Sequence, residues 1–258
     1  MQNHATPTAP GKYTRTRRAD SEPGSIGGEL ATIVDRLGRR LRDREAAEPS
    51  GDAEHAARVA RVERVNEFRA GVGAQYADAT LDAYRCEHPG QREVVDLLRG
   101  YIERWDEHNR RGRGILAVGP CGTGKTHLLI ATAREIIARN GTRARRVSGA
   151  RLYHEARVYM GREEGDWIGR YLYTPILVID DPIPPAGTLT DHQSTTLQFI
   201  IDERSDHRRP TWVSINVADD TEAIRRLGAP IVDRLIDGAV MIRCGWPSHR
   251  QPYMETDT

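Results

Sequence analysis

A glycine-rich segment near the middle of the chain has the residue types and spacing that bind phosphate. Residues 119–126 read Gly-Pro-Cys-Gly-Thr-Gly-Lys-Thr and match the pattern G-x-x-x-x-G-K-[ST]. Glycines let successive backbone N–H groups point at phosphate oxygens, and Lys125 adds a compact positive charge. The residues that we expect to surround the phosphates are Gly119, Pro120, Cys121, Gly122, Thr123, Gly124, Lys125, Thr126 and His127.

The context of this segment is the one that a phosphate-binding loop requires. An apolar strand is predicted over residues 115–118, and a helix with an apolar face over residues 125–139, ended by Asn140-Gly141. The helix predicted over residues 125–139 would present its N-terminus to the bound anion. Lys125 is also one of only two lysines in a chain with 36 arginines, the other being Lys12. A lysine at this position therefore indicates a role that arginine does not fill.

An acidic pair follows the buried strand that is predicted over residues 176–179. Asp180 and Asp181 come directly after the apolar residues 176–179, at the strand end where ligands bind in open α/β sheets. Asp180, together with the Thr126 hydroxyl, is predicted to hold Mg²⁺. Asp181 is predicted to polarise the attacking water as a general base. These residues indicate Mg²⁺-dependent hydrolysis of a nucleoside triphosphate such as ATP.

Three further polar residues are candidates for the same site. Asn216 ends the strand predicted over residues 211–216 and is placed to bind the water or the terminal phosphate. Arg234 precedes the last predicted strand, and Arg250 follows it. Phosphoryl-transfer sites use such arginines to stabilise developing charge, although in an arginine-rich chain either side chain can equally be a solvated surface residue.

The elements that must position these residues alternate along the chain. Strands separated by helices predict a parallel five-stranded sheet between helices, the α/β class of P-loop NTPases. The predicted strands cover residues 115–118, 145–148, 176–179, 211–216 and 239–243. The predicted helices cover residues 91–105, 125–139, 151–160, 166–172, 190–204, 220–227 and 230–236.

The chain outside this body divides by composition. Residues 1–25 lack an apolar period and are interpreted as a disordered tail. Residues 26–70 hold two apolar stripes at helical spacing, which either pack only on each other or grip a partner protein. An ATPase domain is predicted over residues 71–250 and a short tail over residues 251–258.

Composition excludes several classes of protein. No apolar run approaches the roughly 18 residues of a membrane-spanning helix, and the N-terminus has no apolar segment of a secretory signal. Three cysteines fit neither a disulfide framework nor a metal site, so we expect a reducing cytoplasm and no membrane partner. A net charge of +1 gives no global attraction to nucleic acid, so any such contact must be local.

One local patch mixes cations with aromatic rings, as proteins that bind single-stranded DNA do. The candidate DNA contacts are Arg143, Arg145, Arg146, Arg151, Tyr153 and Arg157. The alternative is an ordinary amphipathic helix whose tyrosines pack inward.

The order of these features resembles the AAA+ ATPases, and within them the DnaC/IstB family of helicase loaders and transposition helpers. The motifs that carry the resemblance are the segment Gly122-Thr123-Gly124-Lys125-Thr126-His127-Leu128, the double aspartate after Leu177-Val178-Ile179, and Ile200-Ile201-Asp202-Glu203-Arg204. The resemblance covers roughly residues 68–250. It implies that Asn216 is sensor 1, Arg234 an arginine finger that acts on the ATP of a neighbouring subunit, and Arg250 sensor 2. It also implies an ATP-dependent oligomer and no full C-terminal lid domain.

The resemblance implies an ATPase, slow and stimulated by its partners, that assembles on a replicative helicase and single-stranded DNA, with the N-terminal helices holding the helicase. A transposition helper that holds a transposase is the related alternative. Two more distant functional alternatives are a small-molecule P-loop kinase and an adaptor that binds ATP and barely hydrolyses it.

Overall fold

One parallel five-stranded sheet organises the part of the chain that the computed structural model describes, residues 51–159, 164–185 and 187–250. The strands are β1 (Ile115–Val118), β2 (Ala144–Ser148), β3 (Ile176–Asp180), β4 (Thr211–Ile215) and β5 (Val240–Arg243). Their order across the sheet is β2-β3-β4-β1-β5, and every neighbouring pair is parallel. The predicted α/β class and five-stranded parallel sheet are confirmed.

Helices cover both faces of this sheet. They are α1 (Gly51–Val72), α2 (Pro89–Glu103), α3 (Trp105–Arg110), α4 (Lys125–Asn140), α5 (Gly149–Tyr159), α6 (Glu164–Leu172), α7 (Asp191–Asp206), α8 (Asp220–Leu227) and α9 (Ala229–Ile236). Within the described residues, none of these helices combines the length and apolar composition needed to cross a membrane.

Alternating side chains along each strand divide the core into two layers. In β3, Ile176 and Val178 join the cluster formed with α1 to α4, whereas Leu177 and Ile179 join the cluster formed with α5 to α9. A strand presents successive side chains to opposite faces, so a nearly continuous apolar run is needed where both faces are covered. The run in β3 is fully buried, which fixes the position of the aspartates that follow it.

Glycines with a left-handed backbone conformation flank both ends of the helix that begins at Lys125. Gly124, with φ 85°, precedes α4, and Gly141, with φ 66°, ends it. A side chain at Gly124 would also meet the Tyr84 ring, because an added Cβ would lie 2.5 Å from Cε2. Glycine is therefore required at this position by both backbone conformation and space.

Helix α1 runs through the boundary that the sequence placed between residues 70 and 71. Its Phe68 and Val72 are buried in the same cluster as α2 and α4, and the helix packs against α4 and β2. The described half of the predicted helical segment thus belongs to the compact unit that begins at Gly51. The predicted tail over residues 1–25, the first predicted helix of the 26–70 segment and the tail over residues 251–258 lie outside the described residues.

Candidate nucleotide-binding site

The carboxyl ends of four strands bring the predicted nucleotide residues together. The glycine-rich loop follows β1, the two aspartates end and follow β3, Asn216 follows β4, and residues 244–250 follow β5. Parallel strands place all these ends at one edge of the sheet. The arrangement explains why polar residues far apart in sequence form one site.

Lys125 lies inside the curve of the glycine-rich loop. Its Nζ donates to the carbonyl oxygens of Gly119 at 2.7 Å and Pro120 at 2.6 Å, and the side chain is buried. Burial lowers the pKa of Lys125, while the nearby carboxyls of Asp181 and Asp180 oppose that shift. The loop therefore concentrates a buried cation whose hydrogen-bond acceptors are neutral carbonyls, which suits a site for an anion.

Two side chains from distant parts of the chain fix the same carbonyl of this loop. Tyr84 Oη and Trp246 Nε1 each donate to the Thr123 carbonyl oxygen at 2.8 Å. Burial raises the pKa of Tyr84 above its ordinary value, so its hydroxyl remains a donor at neutral pH. The loop is thereby held from the segment before the sheet and from the segment after β5.

The segment after β5 also brings Arg250 to the loop. The His249 N–H donates to the Gly122 carbonyl at 2.9 Å, and its Nε2 lies 3.0 Å from Gln91 Nε2. Arg250 comes next, with its N–H donating to Ser248 Oγ and its side chain exposed. Its position is compatible with the sensor role that the sequence suggests.

Asp180 lies at the centre of a polar cluster opposite the loop. Its Oδ1 accepts from Thr126 Oγ1 at 2.6 Å and from Ser214 Oγ at 2.7 Å. Its Oδ2 accepts from Arg146 Nη2, which forms an ion pair with it. Thr126 and Asp180, the two residues that are predicted to bind the metal ion, are therefore in direct contact.

Asp181 and Asn216 form the second polar pair. Asn216 Nδ2 donates to Asp181 Oδ2 at 2.6 Å, and the Asp181 N–H donates to the Ser214 carbonyl at 3.0 Å. Burial raises the pKa of Asp181, with the charge of Asp180 adding to the rise and the Asn216 hydrogen bond opposing it. Asp181 has φ 50°, a left-handed conformation that is uncommon outside glycine and typical of functional turns.

The donor set fits a nucleotide with its magnesium ion. Mg²⁺ prefers oxygen ligands and is bound through one or two protein groups together with phosphates, which the Thr126 hydroxyl and Asp180 carboxylate match. The buried Lys125 and the N-terminus of α4 match the phosphates. His127 is the exception among the predicted loop residues, because its Nε2 lies 2.8 Å from the Thr80 carbonyl oxygen and its ring lies 5.5 Å from that of Tyr84.

Arg234 lies at the opposite edge of the sheet from these residues. It lines a small depression with residues at the amino ends of three strands, namely Gly114, Thr211 and Ala239. Its Nε is 3.1 Å from Asp202 Oδ1, and 46% of the side chain is exposed. A four-residue strand such as β1 is about 13 Å long, so Arg234 is separated from the glycine-rich loop of its own chain.

Of the six predicted DNA contacts, Tyr153 is wrong because its side chain is buried, and Arg146 is already paired with a carboxylate. Tyr153 is 5% exposed and its Oη donates to the Pro182 carbonyl at 3.0 Å, because α5 packs this face into the core. Arg146 is engaged by Asp180. Arg143, Arg145 and Arg157 are exposed, and Arg151 is exposed while pairing with Glu155 at 2.8 Å.

Several residues that shape the site have little or no signal in the sequence. Ser214 has a weak signal, a hydroxyl between the apolar residues Val213 and Ile215, and its register opposite Asp180 explains it. Nothing in the spacing of Arg146 points to Asp180, which lies 34 residues away in the sequence. Tyr84 and Trp246 have no local signal, since they reach Thr123 across 39 and 123 residues.

Comparisons with known proteins agree with this geometry. The family model for the IstB-like ATP binding protein matches residues 52–251. The replicative helicase loader DnaC of Escherichia coli strain K12 is 25% identical over 188 residues, which cover 70% of this chain and 73% of the loader.

Solved structures share the fold. A crystal structure of the DnaC helicase loader aligns with a TM-score of 0.61 at 24% identity, covering 67% of this chain and 99% of that one. The replication initiator DnaA bound to AMPPCP and single-stranded DNA aligns with a TM-score of 0.56 at 17% identity, covering 68% and 51%. The fold is therefore that of the P-loop AAA+ ATPases.

Proposed function

This chain belongs to the IstB-like ATP-binding proteins, and from that membership we propose that it is a Mg²⁺-dependent ATPase of DNA replication, of the helicase-loader kind. The observation that supports the proposal most directly is the cluster at one sheet edge, where Lys125, Thr126, Asp180, Asp181 and Asn216 converge. The similarity to DnaC, named a replicative helicase loader, supports the biological setting.

The phosphates would be held by the loop over residues 119–126 and by Lys125. Thr126 and Asp180 would hold Mg²⁺, which when bound offsets the negative charge of the phosphates. Asp181 orients and accepts a proton from the attacking water, and Asn216 fixes the carboxylate through the hydrogen bond at 2.6 Å. Because burial raises the pKa of Asp181, its carboxylate is a better proton acceptor than an ordinary aspartate.

The partner is proposed to be a replicative helicase, contacted through the N-terminal segment over residues 26–70, with single-stranded DNA as a second ligand. ATP would drive assembly into an oligomer in which turnover is slow until partners bind. The family model, which is named for IstB, supports a second candidate: a transposition helper that acts with a transposase. Co-purification with a helicase or with a transposase, using the full chain and a chain lacking residues 1–50, separates the two.

Lys125→Ala is expected to abolish nucleotide binding. The substitution removes the buried cation of the loop, whereas the wild-type protein should gain stability by mass action, about 2.7 kcal/mol at a hundredfold excess of nucleotide over its Kd. Thermal unfolding with and without Mg²⁺-ATP measures this difference. If Mg²⁺-ATP does not change the unfolding temperature of the wild-type protein, the proposed function is contradicted. Lys12→Ala serves as the matched control, because it removes the other lysine of the chain.

Single-stranded DNA is expected to bind with a strong dependence on salt, because each phosphate contact releases counterions. Two exposed arginines at the start of β2, Arg143 directly before the strand and Arg145 within it, should each contribute about one contact. Replacing both with Gln should therefore reduce the slope of log affinity against log salt by about two. Fluorescence anisotropy of a labelled oligothymidylate measures the slope. A slope unchanged by the double substitution would remove these two residues from the DNA contact.

A further inference from the structure

A basic cleft lies between helix α1 and the edge strand β2. It encloses about 240 Å³. Four arginines and a single glutamate, Glu67, supply its charged lining, which consists of Arg64, Arg143, Arg145 and Arg146 together with Glu67. A cleft with this excess of positive charge suits a phosphate group, because guanidinium groups bind phosphate oxygens through paired N–H donors.

The four arginines differ in what they already bind. Arg64 donates to the Gly141 carbonyl, and Arg146 donates to Asp180. Arg143 and Arg145 are exposed, and no carboxylate of the described residues lies within ion-pair distance of either. Arg145 lies opposite Leu177 in the register of β2 and β3, on the sheet face away from α1, so Arg143 is the arginine of the cleft whose guanidinium is free to receive an anion.

Arg146 belongs both to this cleft and to the metal site. Its side chain is 21% exposed, its guanidinium carbon lies 5.6 Å from the centre of the Tyr76 ring, and its Nη2 pairs with Asp180 Oδ2. Its Nε is buried and, within the described ranges, has no hydrogen-bond partner. Among the residues that the structure describes, Asp180 is the carboxylate that pairs with this guanidinium, and a second anion in the cleft would compete for it.

We propose that the cleft binds a backbone phosphate of single-stranded DNA and that this binding draws Arg146 from Asp180, which strengthens metal binding at Thr126 and Asp180. The inference rests on the proposed function, since it assigns to the DNA a regulatory contact with the ATPase site. A guanidinium on the carboxylate opposes a divalent cation there by like-charge repulsion. Coupling of this kind is reciprocal, so bound metal and bound phosphate each favour the other by the same factor.

The coupling can be measured without hydrolysis. Mn²⁺ replaces Mg²⁺ as the probe, and the electron paramagnetic resonance signal of free Mn²⁺ reports its affinity for the ADP-bound protein with and without oligothymidylate. In the wild type, DNA is expected to tighten Mn²⁺ binding about tenfold, which corresponds to about 1.4 kcal/mol. Mn²⁺ should in turn tighten oligothymidylate binding by the same factor, measured by fluorescence anisotropy.

Substitutions separate the two ends of the coupling. Arg146→Gln is expected to bind Mn²⁺ about tenfold more tightly in the absence of DNA and to show no further gain with it. Arg146→Lys retains the charge and should keep the weaker affinity, which distinguishes loss of charge from altered folding. Arg143→Gln should leave Mn²⁺ affinity unchanged and lose the DNA effect. Arg110→Gln, exposed at the end of α3, should behave as the wild type.

Each alternative result overturns a defined claim. If oligothymidylate binds the wild type but leaves Mn²⁺ affinity unchanged, or if Arg146→Gln binds Mn²⁺ as the wild type does, the inference is wrong and the proposed ATPase stands. If ADP and Mn²⁺ do not bind the wild type at all, the proposed function fails. If only the DNA fails to bind, the DNA partner and the inference fall together.

Discussion

Asp181→Asn is expected to lower ATP turnover by about 10²–10⁴-fold while ATP binding is retained. The amide has nearly the shape of the carboxylate and can still pair with Asn216 after a flip, so the turn after β3 should persist. It cannot accept the proton of the attacking water. Steady-state phosphate release measures the loss, and the ATP-dependent rise in unfolding temperature measures the retained binding.

The matched control for Asp181 is its neighbour Asp180. Asp180→Asn should weaken the dependence on Mg²⁺ as well as turnover, because Asp180 contacts Thr126 and is expected to hold the metal. An Asp181→Asn protein that hydrolyses ATP at the wild-type rate would show that Asp181 is not the base. Loss of nucleotide binding in that variant would instead make Asp181 a structural residue of the turn.

The dependence of the rate on pH offers a second readout of the same residue. Burial raises the pKa of Asp181 above that of an ordinary aspartate, and only its deprotonated form accepts a proton. The rate should therefore fall as the pH decreases through this raised pKa, at a higher pH than an exposed aspartate would give. Asn216→Ala removes a hydrogen bond that stabilises the charged carboxylate, so it should move the fall to still higher pH.

The fold was predictable because most of the strands, β1 and β3 above all, are nearly continuous apolar runs bounded by clear breaks. Strand β2, with two arginines among its five residues, is the exception. The predicted strand over residues 115–118 and helix over residues 220–227 agree with β1 and α8 at both ends. The bounds of the other predicted strands and helices listed above agree with the structure or differ from it by one or two residues, since helix ends depend on caps such as His88 and Thr190 rather than on apolar spacing. The order of the strands across the sheet is not specified by the pattern of any single strand.

The candidate site was predictable only where a local pattern carries it. The glycine-rich loop and the double aspartate are contiguous in sequence, and the edge of the sheet brings them together. Arg146, Ser214, Tyr84 and Trp246 act through contacts across 34 to 123 residues, and no spacing marks such pairs. Tyr153 was misassigned because an aromatic residue between arginines has the same pattern whether it faces the core or the solvent.

Arg234→Ala is expected to reduce the ATPase rate of the assembled protein by about 10³–10⁵-fold, the factor that an arginine supplied by a neighbour contributes. Arg234 lies at the amino ends of the strands, at the edge opposite Lys125, so it is poorly placed to reach its own nucleotide. On the same surface, Asp202 pairs with Arg234 and Phe199, three residues before Asp202 on α7, is 45% exposed. An exposed aromatic ring beside a partly exposed ion pair is typical of protein contacts.

The other explanation is that Arg234 only stabilises its own chain through Asp202. Asp202→Asn distinguishes the two, because it removes the anionic partner at 3.1 Å and leaves the arginine in place. A half-exposed pair of this kind contributes about 0–1 kcal/mol to stability. If that contribution were the whole role of Arg234, Asp202→Asn and Arg234→Ala would affect the ATPase rate equally and only slightly.

Mixing two inactive variants tests whether the arginine acts between subunits. Lys125→Ala cannot use its own site but still offers Arg234 to a neighbour, whereas Arg234→Ala has an intact site and no arginine to offer. Each alone should be nearly inactive, and their mixture, with single-stranded DNA or the partner protein present, should regain part of the wild-type rate. A mixture no more active than its components, under conditions in which the wild type assembles and turns over, would assign Arg234 a role within its own subunit.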